Sequence, residues 1–305
     1  MNLGSNWTEI ARRGIKFIQV RRNTHLQNIL GRDPVSDHCA IVFLDAAYEF
    51  PFDIARALEF ALFRSYAVPR ISGLLQKSGE LMNNARKRYD DTDLILSELL
   101  EHGYDSERGR AALANMNQQH GRYPIHNDDY LYVLSTFVFE PIRWIERFGY
   151  RAMVEQERLS WFLFWRAVGE RMGIHNIPEK YGDFEGYNIC YEQDKFRFAR
   201  SNHIIATKTR DLLLEMYIPR ALFPIGRLAV YAMLDESMSK AFGFPVQRPT
   251  LRFIIRRILY LRGKLVRCLP ARQKPVLRTQ KRRPTYPEGY CIKDLGPDHT
   301  DNSTL

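Results

Sequence analysis

Three side chains in this sequence combine a useful chemical type with a useful spacing: His120, Arg88 and Thr92. His120 ends the stretch "NMNQQHG", at the last turn of an expected helix that opens at Asp105 or Ser106 and stops at Gly121. Helical spacing puts Leu113, Met116, Asn117 and His120 on one face, so the imidazole lies beside apolar side chains rather than in water. Two readings stand. A neutral imidazole on a rigid helix can ligate haem iron, and a histidine near a helix C-terminus is also favoured simply by the dipole. Arg88 and Thr92, in "KRYDDTD", are four apart. On a helix they line one polar spot that could donate hydrogen bonds to a developing negative oxygen. The competing reading makes Asp90 or Asp91 a helix N-cap and leaves Arg88 in solvent. His126, in "IHNDD", reads as part of a helix entry capped by Asn127 or Asp128.

Several other chemistries lack their motifs. No histidine has a glutamate three residues before it, so the Glu-x-x-His pairs of di-iron bundles are missing. There is no H-E-x-x-H, no Walker A loop and no G-x-S-x-G elbow. Cys39, Cys190, Cys268 and Cys291 form no C-x-x-C pair, which argues against a zinc ribbon, a thioredoxin-type site or c-type haem attachment and suits a reducing compartment. What remains for a helical enzyme is a haem held by histidine or an unusual carboxylate site.

The elements that must position these residues are mostly helices. "DIARALEFALFRSYAV" (Asp53–Val68) follows Pro51 and puts Ile54, Leu58, Ala61 and Leu62 on one face, widened by Phe60 and Phe63. Further helices are expected over Asp91–Gly103, Tyr130–Phe148, Val154–Gly173, Arg210–Tyr217 and Gly226–Ala241. Strand-like alternation is scarce. The expectation is an all-α, single multi-helix domain. Its parts are an N-terminal helical extension (1–36), a catalytic domain (37–245), a basic amphipathic helix (246–270) and a disordered, Pro-rich tail (271–305).

The chain of 305 residues has a net charge of +10, but thirteen Lys and Arg and no acid fall between Arg248 and Arg283. Without those thirteen the rest stands at −3, so only the C-terminal stretch is a basic binder. As a helix it carries a stripe of Leu251, Ile254, Ile255, Ile258, Leu261 and Leu265 flanked by Arg and Lys. That pattern suits an interfacial helix on anionic lipid, with Leu251–Arg283 as the membrane contact, or a last core helix with its charges in water. Nucleic acid is not expected, since aromatic interleaving stops at Phe253 and Tyr260. The N-terminus lacks a signal-peptide core, and no run of ~18 uncharged apolar residues predicts a transmembrane helix.

Taken in order, "FPFDIARALEFALFRSYAVPRISGLL", "RKRYDDTDLILSELLEHG", "GRAALANMNQQHGRYPIHNDDYLYVLSTFVFEPIRWIERFGYRAMVEQE" and "GERMGIHNIPE" resemble the family of MpaB-type ER-bound oxygenases. That family shares its catalytic domain with the rubber oxygenases, the latex clearing proteins. The similarity runs from about Phe50 to Ala241. It implies a globin-like helical core holding one haem b without covalent attachment, with the proximal histidine at His120. The ring's other nitrogen would donate to a nearby carbonyl. The distal Arg and Thr of the rubber oxygenases fall on Arg88 and Thr92, where they would hydrogen-bond dioxygen. The lysine that caps iron in a closed rubber oxygenase is Asp91 here, so a lysine-capped resting state is not expected. Glu80 is the candidate carboxylate base.

The implied reaction is oxidative C=C cleavage of a lipophilic, isoprenoid-type chain with O2, in meroterpenoid-like secondary metabolism. Phe60, Phe63, Tyr66, Tyr130 and Phe137 would wall the chain. The expected location is cytoplasmic or peripheral on the ER membrane. The alternative is a non-catalytic, membrane-peripheral helical protein whose site has decayed.

Overall fold

The longest helix supplies the axis around which the others gather. The computed structural model describes residues 23–297, and within them lie fourteen α-helices and no β-strand. In chain order these are α1 (Thr24–Leu30), α2 (His38–Leu44), α3 (Pro51–Ser65), α4 (Pro69–Ser78), α5 (Glu80–Asn83), α6 (Ala85–His102), α7 (Glu107–His120), α8 (Asn127–Phe148), α9 (Glu155–Arg171), α10 (Tyr181–Lys195), α11 (Arg200–Tyr217), α12 (Phe223–Met233), α13 (Glu236–Phe242) and α14 (Pro249–Arg267). One π-helical turn, Asp45–Glu49, links α2 to α3. The all-α class is as the periodicity indicates. Most of the expected N-terminal extension, residues 1–22, lies outside the described residues.

Axial helix α8 packs against α3, α9, α10 and α14. It buries Leu131, Leu134, Val138, Phe139, Ile142 and Ile145 in the main core, with Trp161, Phe162, Phe164 and Trp165 of α9 facing them. Pro141 sits inside α8 and lacks the N–H that would bond the carbonyl of Phe137. The indole Nε1 of buried Trp161 donates to that carbonyl instead, at 2.8 Å, so the interruption becomes a tie between α8 and α9.

Several boundaries differ from the sequence reading. Helix α6 begins at Ala85, not Asp91, and Asp90 and Asp91 lie buried within it rather than capping it. The N-cap of α8 is His126, with no side-chain cap bond. Asn127 instead exchanges bonds with the backbone of His175, at 2.8 and 3.0 Å. The span Gly226–Ala241 is two helices, because Asp235 caps α13 by accepting from the Met238 amide at 2.8 Å. Helix α11 starts ten residues before its expected Arg210, and α10 had no counterpart in the sequence reading.

The tail departs most. Expected to be disordered from Ala271, the chain over 271–297 is instead tied to the body, at Ala47, along α6 from Arg278 to Tyr290 and at Asn115 of α7. Arg278 and Arg283 pair with Asp93, Thr285 donates to Asp90 at 2.7 Å and Tyr290 to Glu98 at 2.5 Å. Leu295 is 1% exposed and joins the main core. Low hydrophobicity did not leave this stretch free, because buried carboxylates on α6 supply the partners that an apolar segment would find in a core.

Candidate functional site

His120 is placed by a tight helical hairpin. Gly103 ends α6 in the left-handed region, φ 75°, and the Ser106 hydroxyl accepts from the Gly109 amide at 2.9 Å to open α7. A Cβ on Gly109 would come within 1.9 Å of the Gly103 carbonyl oxygen, so only glycine permits so close a return. From there α7 runs fourteen residues and delivers His120 at its last position. Its register is pinned on both sides. Asn115 donates to the carbonyls of Ile292 and Leu295 at 2.6 and 3.0 Å, and Asn117 to that of Arg171 at 3.0 Å.

His120 opens onto a cavity of about 590 Å³ enclosed by α3, α4, α6, α7 and α8. The walls are largely apolar, with Ile54, Leu58, Leu96, Met116, Val133 and Trp165 among them. Arg88 and Thr92 line the same cavity. One turn apart on α6, they are joined by a bond of 2.6 Å from Arg88 Nη1 to Thr92 Oγ1, while Thr92 also donates to the Arg88 carbonyl at 2.9 Å. Helical placement thus holds for this pair, and the reading with Arg88 in solvent does not. No carboxylate pairs with Arg88 among the described residues.

Burial, and secondarily the charge of Arg88, pushes the His120 imidazole down to about 4, so it is neutral at any ordinary pH. The Tyr130 ring meets it edge-on, with centroids 5.5 Å apart. The expected carbonyl acceptor is missing: Nδ1 of His120 is buried without a hydrogen-bond partner. Trp165 Nε1 and Gln119 Oε1, on the same cavity, are likewise buried and unpartnered. Unsatisfied buried polar atoms are rare in stable interiors, and these three stand on a hollow where a bound group could meet them.

Three of the five aromatic wall residues expected from sequence, Tyr66, Tyr130 and Phe137, do line the cavity. Phe60 and Phe63 do not. Phe60 turns toward Trp144 and Phe63 toward Phe242, because the apolar stripe of α3 is wide enough to serve two clusters. Glu80 also lines the cavity. Asp91, at the expected capping-lysine position, is held by Lys87 Nζ at 3.1 Å and by the Tyr286 hydroxyl.

The polar groups of the cavity include some that had no signal in the sequence. The Tyr66 hydroxyl is pushed up by burial and drawn back by Arg88, which stands near both it and His120. Glu59, pushed up by burial against the pull of Arg56, accepts from Arg56 at 2.6 Å, from Tyr217 at 2.9 Å and from Tyr89. Val276, Arg278, Gly296 and Pro297 of the tail complete one wall. Residues 59, 89, 217 and 278 share no local spacing that periodicity could reveal.

The cavity can hold a flat or elongated apolar group beside one neutral imidazole and one uncompensated guanidinium. Among known proteins, the chain is 29% identical over 241 residues to an ER-bound oxygenase mpaB' of Penicillium brevicompactum, covering 73% of this chain and 57% of that protein. It is 30% identical over 213 residues to an ER-bound oxygenase mpaB of Penicillium roqueforti, covering 64% and 72%. With an ER-bound oxygenase mpaB of Penicillium brevicompactum the identity is 36% over 135 residues, covering 42% and 34%. The chain therefore spans little more than half the length of the first of these relatives. Residues 96–262 match the family model described as "ER-bound oxygenase mpaB/B'/Rubber oxygenase, catalytic domain", and on this match and these identities the chain belongs to that oxygenase family.

Proposed function

We propose that this protein is a haem b-dependent oxygenase that cleaves a C=C bond in a lipophilic, isoprenoid-type chain with O2. The observation that carries the reading is the neutral imidazole of His120, its Nδ1 without a partner among the described residues, facing an apolar cavity that also holds Arg88, with which no carboxylate pairs among those residues. The cavity volume lies within the range of about 300–1,000 Å³ usual for cofactor and small-molecule sites. Among the described residues no three His, Cys, Asp or Glu side chains converge to hold a bare metal ion. One imidazole is what an iron already chelated by a tetrapyrrole requires of the protein, so the donor set fits haem.

His120 would be the protein's ligand, neutral and therefore competent without first losing a proton. Haem supplies the one-electron chemistry that lets O2 react with a closed-shell olefin. Arg88 has its Nη1 fixed by Thr92, which aims the guanidinium while leaving its other N–H groups to stabilise negative charge that builds up on oxygen. The apolar walls exclude water, align the chain and strengthen that electrostatic contact. Glu80 and Glu59 are among the acids that line the cavity, where a proton would be exchanged. The names of the relatives support an oxygenase, the substrate class and a role in secondary metabolism rest on the family resemblance of the sequence, and "ER-bound" in those names supports peripheral association of this chain with a membrane. No helix among the described residues is long and apolar enough to cross one.

Purified from haem-supplied cells, the protein should show a Soret band and one haem per chain. His120→Ala should reduce haem content at least about tenfold with the far-UV spectrum unchanged, the loss expected for a sole ligand. Colourless wild-type protein, or a variant with full haem content, would refute the assignment and favour the non-catalytic alternative.

A further inference from the structure

The outer side of α14 is apolar and uncovered. Leu251, Ile255, Leu259, Gly263 and Val266 turn inward, where a Cβ on Gly263 would lie 2.5 Å from the Phe148 carbonyl oxygen. Ile254, Ile258, Leu261, Leu265 and Leu269 recur at spacings of three and four on the other side, with Phe253 beside them. Ile258 is 57% exposed and Leu265 71%. The stripe expected from sequence is thus divided, half packed on the body and half presented to the surroundings. Arg256, Arg257, Lys264 and Arg267 accompany the presented half, and none has a carboxylate partner among the described residues.

This surface continues onto the body. The guanidinium of Arg262, paired with Asp53 at 2.6 Å, lies 4.0 Å from the centre of the exposed Phe52 ring. Arg56 bridges from Phe52 to the ring of Tyr217, whose hydroxyl donates to Glu59 on the cavity wall. A short path of side chains therefore leads from the outer face of α14 to one end of the cavity.

We propose that the outer face of α14, continued by Phe52 and Tyr217, docks on an anionic lipid bilayer, with the Glu59–Tyr217 end of the cavity turned toward that bilayer. An uninterrupted row of Ile and Leu with unpaired cations matches acyl chains beneath phosphate headgroups. A nucleic acid would leave the row unburied, and a second copy meeting it symmetrically would bring like charges together. The docking element is narrower than Leu251–Arg283, because Arg278 and Arg283 are consumed by Asp93 and Asp90. Docking stands independently of haem, whereas the orientation of the cavity rests on the lipophilic-substrate reading.

The full chain should co-sediment with phosphatidylcholine–phosphatidylserine vesicles and far less with phosphatidylcholine alone. Ile258→Asp with Leu265→Asp should weaken binding on the order of a hundredfold, since two aliphatic side chains no longer leave water. Neutralising Arg257, Lys264 and Arg267 to Gln should remove the preference for phosphatidylserine. The emission added by Phe52→Trp should be quenched by vesicles with brominated acyl chains. Absence of vesicle binding, equal binding by the Asp variant, or a dimer in sedimentation velocity that this variant dissolves would each overturn docking. Unquenched emission with docking intact would overturn the orientation alone. Haem content plays no part in these readouts, so the enzymatic reading can fail while this one holds.

Discussion

Two consecutive stretches of the basic C-terminal region, α14 and the segment 270–297, carry the same sign of charge and meet opposite ends. Helix α14 leaves four cations without a carboxylate among the described residues and half its aliphatic side chains uncovered. The following segment is poorer in apolar residues, yet its Arg278, Thr279, Arg283, Thr285, Tyr286 and Tyr290 all find carboxylates on α6. Charge does not separate the two, and hydrophobicity alone would favour the opposite outcome. The difference lies in the number of acids: Asp90, Asp91, Asp93, Glu98 and Glu101 line α6, whereas the buried acid that α14 meets is Asp53, which takes up Arg262. A buried acid is a strong demand for a partner, and the nearest cations are taken up to meet it.

The largest test of this contrast is Arg283→Ala. Arg283 is 6% exposed against a fully buried Asp90, and although Arg86 stays with Asp90 and Arg278 with Asp93, losing a buried cation from this cluster should cost about 3 kcal/mol in denaturant unfolding. Gly263→Ala probes the inner side of α14 at its closest contact with α8. The clash with backbone rather than a yielding side chain should cost about 1–3 kcal/mol.

A smaller effect concerns pH. Burial pushes the carboxyls of Asp91 and Glu101 above their usual range, against the lowering pull of Tyr286 and Thr279 respectively. The folded chain therefore keeps these protons to higher pH than the unfolded one. Stability should fall as pH climbs from the ordinary carboxylate range through the raised values. Urea melts across that window should show the slope, and Glu101→Gln should flatten it, while neutralising the cations of α14 should not. Least of all, Leu265→Asp on the outer face should change stability by less than about 0.5 kcal/mol while weakening vesicle binding, because that side chain is already largely in water.

Much of the helical order was legible because it is local. Ser106 caps α7 where the capping residue stands in the sequence, and His120 ends it where the apolar spacing stops. The spacing that joins Arg88 to Thr92 needed only a helix to become a bond. Other local signals misled. Asp90 and Asp91 look like caps but are buried acids awaiting the tail, and Phe60 and Phe63 share a stripe with the cavity wall while packing elsewhere. Glu59 gave no signal, since its partners Tyr89 and Tyr217 lie thirty and 158 residues away.

By itself the sequence determined the helical class, the cap of α7, the neighbours of His120 on its own helix and the concentration of charge near the C-terminus. These depend on residues within a turn or two of one another. The three-dimensional arrangement alone decided which basic stretch is satisfied, which half of the α14 stripe is covered and which polar groups share the cavity. Arg283 meets Asp93 across 190 positions, and such a contact depends on two surfaces that exist only once the helices between them have packed.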